Sequence, residues 1–332
     1  MRRITIVGAG AWGTALALHA ARAGVGVTLF GRRDAGMDFL QATRTLAALP
    51  GAKVPDTVTI TTEPEGAFDG AEAILWSVPV QATASELRRL QPVLPASVPL
   101  VSASKGIEIG TGRRTTEIIR QVASRGDGIA VLSGPTFAAE VALGLPTAAV
   151  VASEDAALSK SLQGLLSSPT FRLYRTTDVV GVEISGAAKN VVAIAAGITD
   201  GLELGQNTRA ALLTRALAEI RRLGMKLGGA PETFAGLACA GDLILTATGD
   251  LSRNRRVGLA LARGSSVDEA LASLGGAVAE GVPTATSLVE LARSVDVVMP
   301  IAEAIQSILS GEMQPLAAVK RLMTRELKDE RA

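Results

Sequence analysis

The sequence Gly8-Ala9-Gly10-Ala11-Trp12-Gly13 has the glycine spacing of a dinucleotide-binding turn. Gly8 permits a tight turn, Gly10 lets a pyrophosphate approach the backbone, and Gly13 allows a helix to pack closely on the preceding strand. The helix that follows would aim its free N–H groups at the anion. A strand-like run at residues 4–7 and a helical stretch after the turn complete the pattern, which a plain glycine turn does not require. About 20 positions past the last glycine, such turns commonly place an acidic residue on the adenosine ribose. Here the chain reads Phe30-Gly31-Arg32-Arg33-Asp34. The guanidinium groups of Arg32 and Arg33 suit a ribose 2′-phosphate through bidentate, charge-assisted contacts. NADP(H) is therefore favoured. Asp34 leaves NAD(H) open, and two solvated arginines at a strand end are the plainer alternative.

Residues 185–199 are apolar nearly all round, as in a buried helix, yet Lys189 lies among them. A lysine is rarely buried without a partner or a purpose, and burial lowers its pKa toward a value suited to proton donation. A side chain snorkelling from a helix end is the alternative. Asp242 enters the apolar stretch Ala238-Cys239-Ala240-Gly241-Asp242-Leu243, where it either pairs with a lysine such as Lys189 or caps a helix. Ser102-Ala103-Ser104-Lys105-Gly106 and Ser133-Gly134-Pro135-Thr136-Phe137-Ala138 each follow an apolar run. Ligands bind at such ends of parallel strands. Lys105 there either reaches a phosphate or carbonyl oxygen or is simply solvated. Ser252-Arg253-Asn254-Arg255-Arg256 gathers its arginines where a helix begins, as a phosphate site or a solvated basic turn. Val278-Ala279-Glu280-Gly281-Val282 is a short polar break between helices, informative only beside the other motifs.

These residues need an element at each motif, and the patterning supplies them. Residues 4–7, 27–30, 73–78, 100–103 and 129–132 read as short β-rich strands, with helical stretches such as 82–90 and 115–124 between them. Alternation of that kind implies βαβ units and a parallel sheet. Residues 147–152 and 171–175 extend the sheet, with a helix at 155–166. After Asp178 helical periodicity takes over, at 185–199, 208–223, 255–262, 267–274, 284–293 and 301–309, and residues 320–331 read as a solvated helix end. The expected fold is an α/β, Rossmann-type parallel-sheet domain at residues 1–180 followed by an all-α domain at 181–332. The boundary lies near residues 177–182.

Composition narrows the chemistry. A chain of 332 residues suits roughly two domains. Lys and Arg number 33 against 32 Asp and Glu, a net charge of +1, and the aromatic residues are six Phe, two Trp and one Tyr. A balanced charge and few stacking groups argue against nucleic acid. The single cysteine, Cys239, excludes an internal disulfide and fits a reducing, cytoplasmic setting. The single histidine, His19, is the one that any imidazole-based zinc site or Ser-His-Asp triad would have to use, and no metal is expected. Apolar runs such as 191–198 fall short of the ~20 residues that span a bilayer, so no membrane insertion is expected. Met1-Arg2-Arg3 and the apolar stretch to Ala21 imitate a secretory leader, but Gly8, Gly10 and Gly13 interrupt it.

Taken in order, GAGAWGTALA, SKGIE, SGPTFAAEVA, GAAKNVVAIAAGI, GDL with SRNRR, and AEGV resemble the soluble bacterial NAD(P)-dependent glycerol-3-phosphate dehydrogenases, from Ile4 to Glu330. The resemblance implies an active site in a cleft between the two domains. It implies reversible hydride transfer between dihydroxyacetone phosphate and sn-glycerol 3-phosphate, the backbone precursor of phospholipids. On that basis Lys189 is the proton donor and acceptor, with Lys105 and Asp242 beside it. Gly134, Thr136, Ser252, Arg253 and Asn254 hold substrate, and Gly8, Gly10, Gly13, Ala11, Trp12, Arg32, Arg33, Lys105, Ala138, Arg253, Val278 and Glu280 line the cofactor. The partner is a small phosphorylated molecule, and a homodimer stays open. Two positions depart from the family pattern. Ala11 stands where Ser or Asn is common, and Cys239-Ala240 replaces a glycine-containing pair before Gly241. Rival readings are a β-hydroxyacid dehydrogenase or ketopantoate reductase relative, which would not require SRNRR, and a non-catalytic nicotinamide sensor.

Overall fold

The computed structural model describes residues 2–327, 329 and 330. Its first half forms strands β1 (Arg3–Val7), β2 (Gly26–Phe30), β3 (Val58–Thr61), β4 (Ala73–Trp76), β5 (Leu100–Ser102), β6 (Ile129–Ser133), β7 (Thr147–Ala152) and β8 (Phe171–Thr176). Between them run helices α1 (Ala11–Arg22), α2 (Ala35–Thr43), α3 (Val80–Leu90), α4 (Thr115–Val122), α5 (Ala138–Leu143) and α6 (Ala156–Leu166). The sheet order is β3-β2-β1-β4-β5-β6-β7-β8. Its first six strands follow the 3-2-1-4-5-6 order of doubly wound dinucleotide-binding sheets. Side chains alternate between two buried faces: Ile4, Ile6, Leu29, Leu75 and Val101 pack on one, and Val7, Phe30, Ile74, Trp76 and Leu100 on the other.

The sheet is not wholly parallel, as the βαβ alternation implied. β7 runs antiparallel to β6, and β8 is parallel to β7. The reason lies in the connection at residues 134–146. Its helix α5 has 6 residues, about 9 Å long, whereas β6 has 5 and spans about 17 Å. With so short a helix the chain does not return to the start of β6, and β7 begins where β6 stops. The expected strand at 73–78 ends at Trp76, because the chain turns through Ser77 and Val78 into Pro79, which has no N–H for a ladder. β3 and α2 were not anticipated.

The second half is helical: α7 (Val179–Gly201), α8 (Gly205–Lys226), α9 (Asp242–Thr248), α10 (Arg253–Ala262), α11 (Val267–Ala272), α12 (Gly281–Ser294), α13 (Pro300–Leu309) and α14 (Pro315–Met323). A 3₁₀ turn (Pro231–Ala235) and a π-helical turn (Leu237–Gly241) precede α9. α7 starts six residues before the expected 185–199 helix, where the Asp178 carboxylate accepts from Gly181 N at 2.8 Å. It is the central rod of its half, packed against α8, α9, α10 and α12. α7 and α10 meet backbone to backbone: a Cβ added at Gly197 would stand 2.0 Å from the Arg255 carbonyl oxygen, and one at Gly258 2.0 Å from that of Ile194. Only glycine fits at both. α7 is also the one described helix long and apolar enough to cross a membrane, and nearly all of its apolar stretch is buried within the fold. α14 ends at Met323; of the expected 320–331 helix end, Lys328 and Arg331 lie outside the described residues.

Candidate active site

The expected site residues of the first half all follow the C-terminal ends of strands: Gly8 after β1, Arg32 and Arg33 after β2, Lys105 after β5, Gly134 and Thr136 after β6. At the glycine turn, Gly8 has φ +106°, and an added Cβ would come within 2.6 Å of the Ser77 carbonyl oxygen. A Cβ on Gly13 would stand 1.9 Å from the Gly8 carbonyl oxygen, so only a glycine lets α1 lie this close to β1. Gly10 differs, since its Cβ position is open space. No side chain caps α1, so the N–H groups of Ala11, Trp12 and Gly13 are left for an anion. The Trp12 indole N–H is buried without a partner. An open backbone approach, an uncapped helix start and an unmatched donor fit a dinucleotide pyrophosphate. Ala11 adds no side-chain donor here, so the turn offers its backbone N–H groups and the Trp12 indole N–H.

Beyond β2, the Asp34 carboxylate accepts from Met37 N at 2.8 Å and caps α2. Arg33 meets Glu63 at 2.6 Å, an exposed pair of little energetic weight. Arg32 is exposed.

The second centre gathers around Asp242, the first residue of α9. Its Oδ1 accepts from Lys189 Nζ at 2.9 Å, and its Oδ2 from Lys105 Nζ at 2.7 Å. Lys189 also donates to Thr246 Oγ1 at 2.8 Å, while Lys105 donates to the Gly134 carbonyl at 3.0 Å. Thr136 Oγ1 is 3.5 Å from the same ammonium. Asp242 therefore pairs with lysines rather than capping a helix, and Lys189 does not snorkel: both are buried. Burial drives the Lys189 ammonium down from 10.5 to about 8, against the pull of Asp242 and with an added push from Lys105. Burial alone would raise the Asp242 carboxyl, but Lys105 and Lys189 outweigh it and hold the group below its ordinary value. Two ammonium groups face one carboxylate, so the cluster carries excess positive charge for an anionic ligand. Cys239-Ala240 lies inside the π-helical turn, a device frequent at functional sites, directly before Asp242.

At the start of α10, Ser252 Oγ accepts from Arg255 N at 3.2 Å as the helix cap. Asn254 donates to Asn190 Oδ1 at 3.0 Å and accepts from Gly281 N at 2.9 Å, so its side chain ties α10 to α7 and α12. Arg253 is exposed and interacts electrostatically with Glu280. Burial raises the Glu280 carboxyl, with Arg253 and the Val80 N–H pulling it down. Val278 is exposed beside it, and Ala138 opens α5.

Thr246 was missed from the sequence, though its spacing four residues after Asp242 puts both on one helix face. Asn190 was missed as well, one position past Lys189. His19 is structural: Nε2 lies 2.7 Å from the Leu166 carbonyl and the ring packs on Phe171. Among the described residues, no three His, Cys, Asp or Glu side chains gather as a metal site.

A family model described as the N-terminus of NAD-dependent glycerol-3-phosphate dehydrogenase matches residues 3–159, and one described as its C-terminus matches residues 178–320. The chain is 48% identical over 332 residues to glycerol-3-phosphate dehydrogenase [NAD(P)+] of Geobacter sulfurreducens, covering 99% of each protein. It is 45% identical to the protein of the same name from Xanthomonas euvesicatoria, covering 99% of this chain and 96% of that one. The crystal structure of glycerol-3-phosphate dehydrogenase from Coxiella burnetii superposes with a TM-score of 0.92 at 39% identity, covering 98% and 99% of the two chains.

Proposed function

This chain belongs to the NAD-dependent glycerol-3-phosphate dehydrogenase family, and on that premise we propose that it moves a hydride reversibly between NAD(P)H and dihydroxyacetone phosphate. The product is sn-glycerol 3-phosphate for glycerophospholipid synthesis. The observation that carries the reading is the buried Lys189 ammonium, held by Asp242 and Thr246 with its pKa near 8.

The nicotinamide, when bound, supplies or accepts the hydride at the carbinol carbon. Lys189 Nζ gives a proton to the ketone oxygen as negative charge develops there, and takes it back in the oxidation. Asp242 fixes the position of Nζ and Lys105 adds a second positive charge, so the site is organised before substrate arrives. The substrate phosphate rests on the Arg253 guanidinium and the N–H groups that open α10. Ser252 has its hydroxyl proton to offer, whereas the Asn254 side chain is committed to Asn190 and Gly281 and contributes through its backbone N–H. Gly134 and Thr136 border the ketone end through Lys105. Glu280, Val278 and Ala138 border the cofactor.

NADP(H) is the preferred cofactor in this reading. Asp34, the carboxylate that could take an NAD ribose, already caps α2, while Arg32 has no side-chain partner among the described residues. The two halves divide near residues 177–182 in this reading; α7 begins at Val179, so the expected cut after residue 180 falls within its first turn. A single free thiol supports a cytoplasmic setting. The test follows oxidation of NADPH and NADH with dihydroxyacetone phosphate and with hydroxyacetone, its unphosphorylated counterpart. Turnover of the phosphorylated ketone alone is expected. No turnover with either cofactor, or equal rates for the two ketones, overturns the proposal.

A further inference from the structure

One buried acid of α7 has no part in the chemistry above. Glu183 lies near the start of α7, yet its hydrogen bonds go to the sheet half. Oε1 accepts from Thr116 N at 2.9 Å, and Oε2 accepts from the Thr116 hydroxyl at 2.6 Å and from Arg114 Nη1 at 3.0 Å. Arg114 holds the N-cap position of α4, and an arginine cannot accept a hydrogen bond. The Glu183 carboxylate therefore caps α4 from another helix.

Three residues at helical spacing make this one face of α7: Glu183, Gly186 and Asn190. At Gly186 an added Cβ would lie 3.4 Å from Lys105 Cγ and 3.2 Å from Ser133 Oγ, so bare helix surface faces the lysine stem. Asn190 Nδ2 reaches the Lys105 carbonyl at 3.5 Å. The segment between Lys105 and Arg114 is closed on itself: Ile107 bridges Arg114, and Glu108 N donates to the Arg113 carbonyl at 3.0 Å. What holds Arg114 therefore also holds the loop that carries Lys105.

We infer that Glu183 is a positioning residue for the reaction: by gripping Arg114 and Thr116 it seats the 105–114 loop on α7 and so sets Lys105 Nζ against Asp242. A carboxylate used only as a staple between the halves would affect stability and leave the chemical step alone. A positioning group acts through Lys105 and has no effect once that lysine is gone.

The inference rests on the proposed function, and a double-mutant cycle on the full chain keeps the two separable. Glu183→Gln retains an acceptor for Thr116 but loses the charge that pairs with Arg114. It is expected to lower kcat for dihydroxyacetone phosphate reduction by about tenfold, the scale of a small displacement at a catalytic group, with KM for NADPH unchanged. In a Lys105→Ala background the same change is expected to leave kcat where Lys105→Ala already put it. Thr116→Val deletes only the hydroxyl bond and covers the case in which Glu183→Gln fails to fold. It is expected to act in the same direction, less strongly, and to lose its effect in the same background. Equal fold-losses with and without Lys105, or an unchanged kcat in both variants, overturn the inference. A wild-type chain inactive on dihydroxyacetone phosphate instead removes the proposed function.

Discussion

On the proposed function, the glycine turn and the lysine–carboxylate cluster receive a charged ligand by opposite means. At the turn the protein offers backbone: uncapped N–H groups at the start of α1 and the bare Cα of Gly10, all within a few residues of sequence. At the cluster it offers side-chain charge, gathered from partners 53 and 137 residues apart in the chain. The first arrangement needs one strand and one helix to be adjacent. The second needs both halves folded and seated on one another, because Lys105 comes from the sheet and Lys189 and Asp242 from the helices. A dipole-based site tolerates solvent, whereas an ammonium tuned by burial does not. Binding and proton transfer should therefore fail independently.

Lys189→Ala tests that independence most severely. It removes the proposed proton donor and leaves the turn untouched, so kcat is expected to fall roughly 10³-fold while NADPH affinity, measured by fluorescence titration, stays the same. A matched loss in NADPH affinity would merge the two regions into one. From the cofactor end, replacing Arg32 and Arg33 together with Ala is expected to raise the NADPH KM by about 10–100-fold and leave the NADH KM and the kcat in place. Equal losses for the two cofactors would remove the 2′-phosphate assignment. The smallest effect is in pH. With Lys189 at about 8 in the folded chain, ketone reduction should decline by about tenfold per unit above that pH, and glycerol 3-phosphate oxidation should rise toward it. The stability linkage has its own sign. Between about 8 and 10.5 the unfolded chain keeps a proton that folded Lys189 has released, so this group's contribution to stability grows with pH across that window. A reduction profile flat from pH 7 to about 10 would show that Lys189 is not the donor.

The difference also decides what could be read in advance. The glycine turn was legible because Gly8 and Gly13 answer to local steric demands and Gly10 completes the spacing between them. The buried helix around Lys189 was legible because a charge in an apolar periodicity violates the pattern. The alternatives left open at Asp242 and Lys105 could not be settled in one dimension, since a cap and an ion pair look the same until the partner is placed. Thr246 escaped because a threonine in a helix is unremarkable without its neighbour's ammonium. Glu183 escaped for the same reason, as its partners sit 67 and 69 residues away. In the sheet, β3 was lost because Val58-Thr59-Ile60-Thr61 is short and half polar, and the reversal of β7 depends on the length of α5 rather than on the strand's composition.

The glycine pair that welds α7 to α10 turns the two helices into a gauge. One rod bears Lys189, the proposed proton donor, and the other begins at the proposed phosphate site, and with Gly197 and Gly258 in mutual contact neither can slide along the other. On the proposed function, the spacing of the two helices that carry Lys189 and Arg253 is thereby set by main-chain contact. On that reading, a ketone phosphate one carbon longer or shorter is expected to reach one end of the gauge and miss the other.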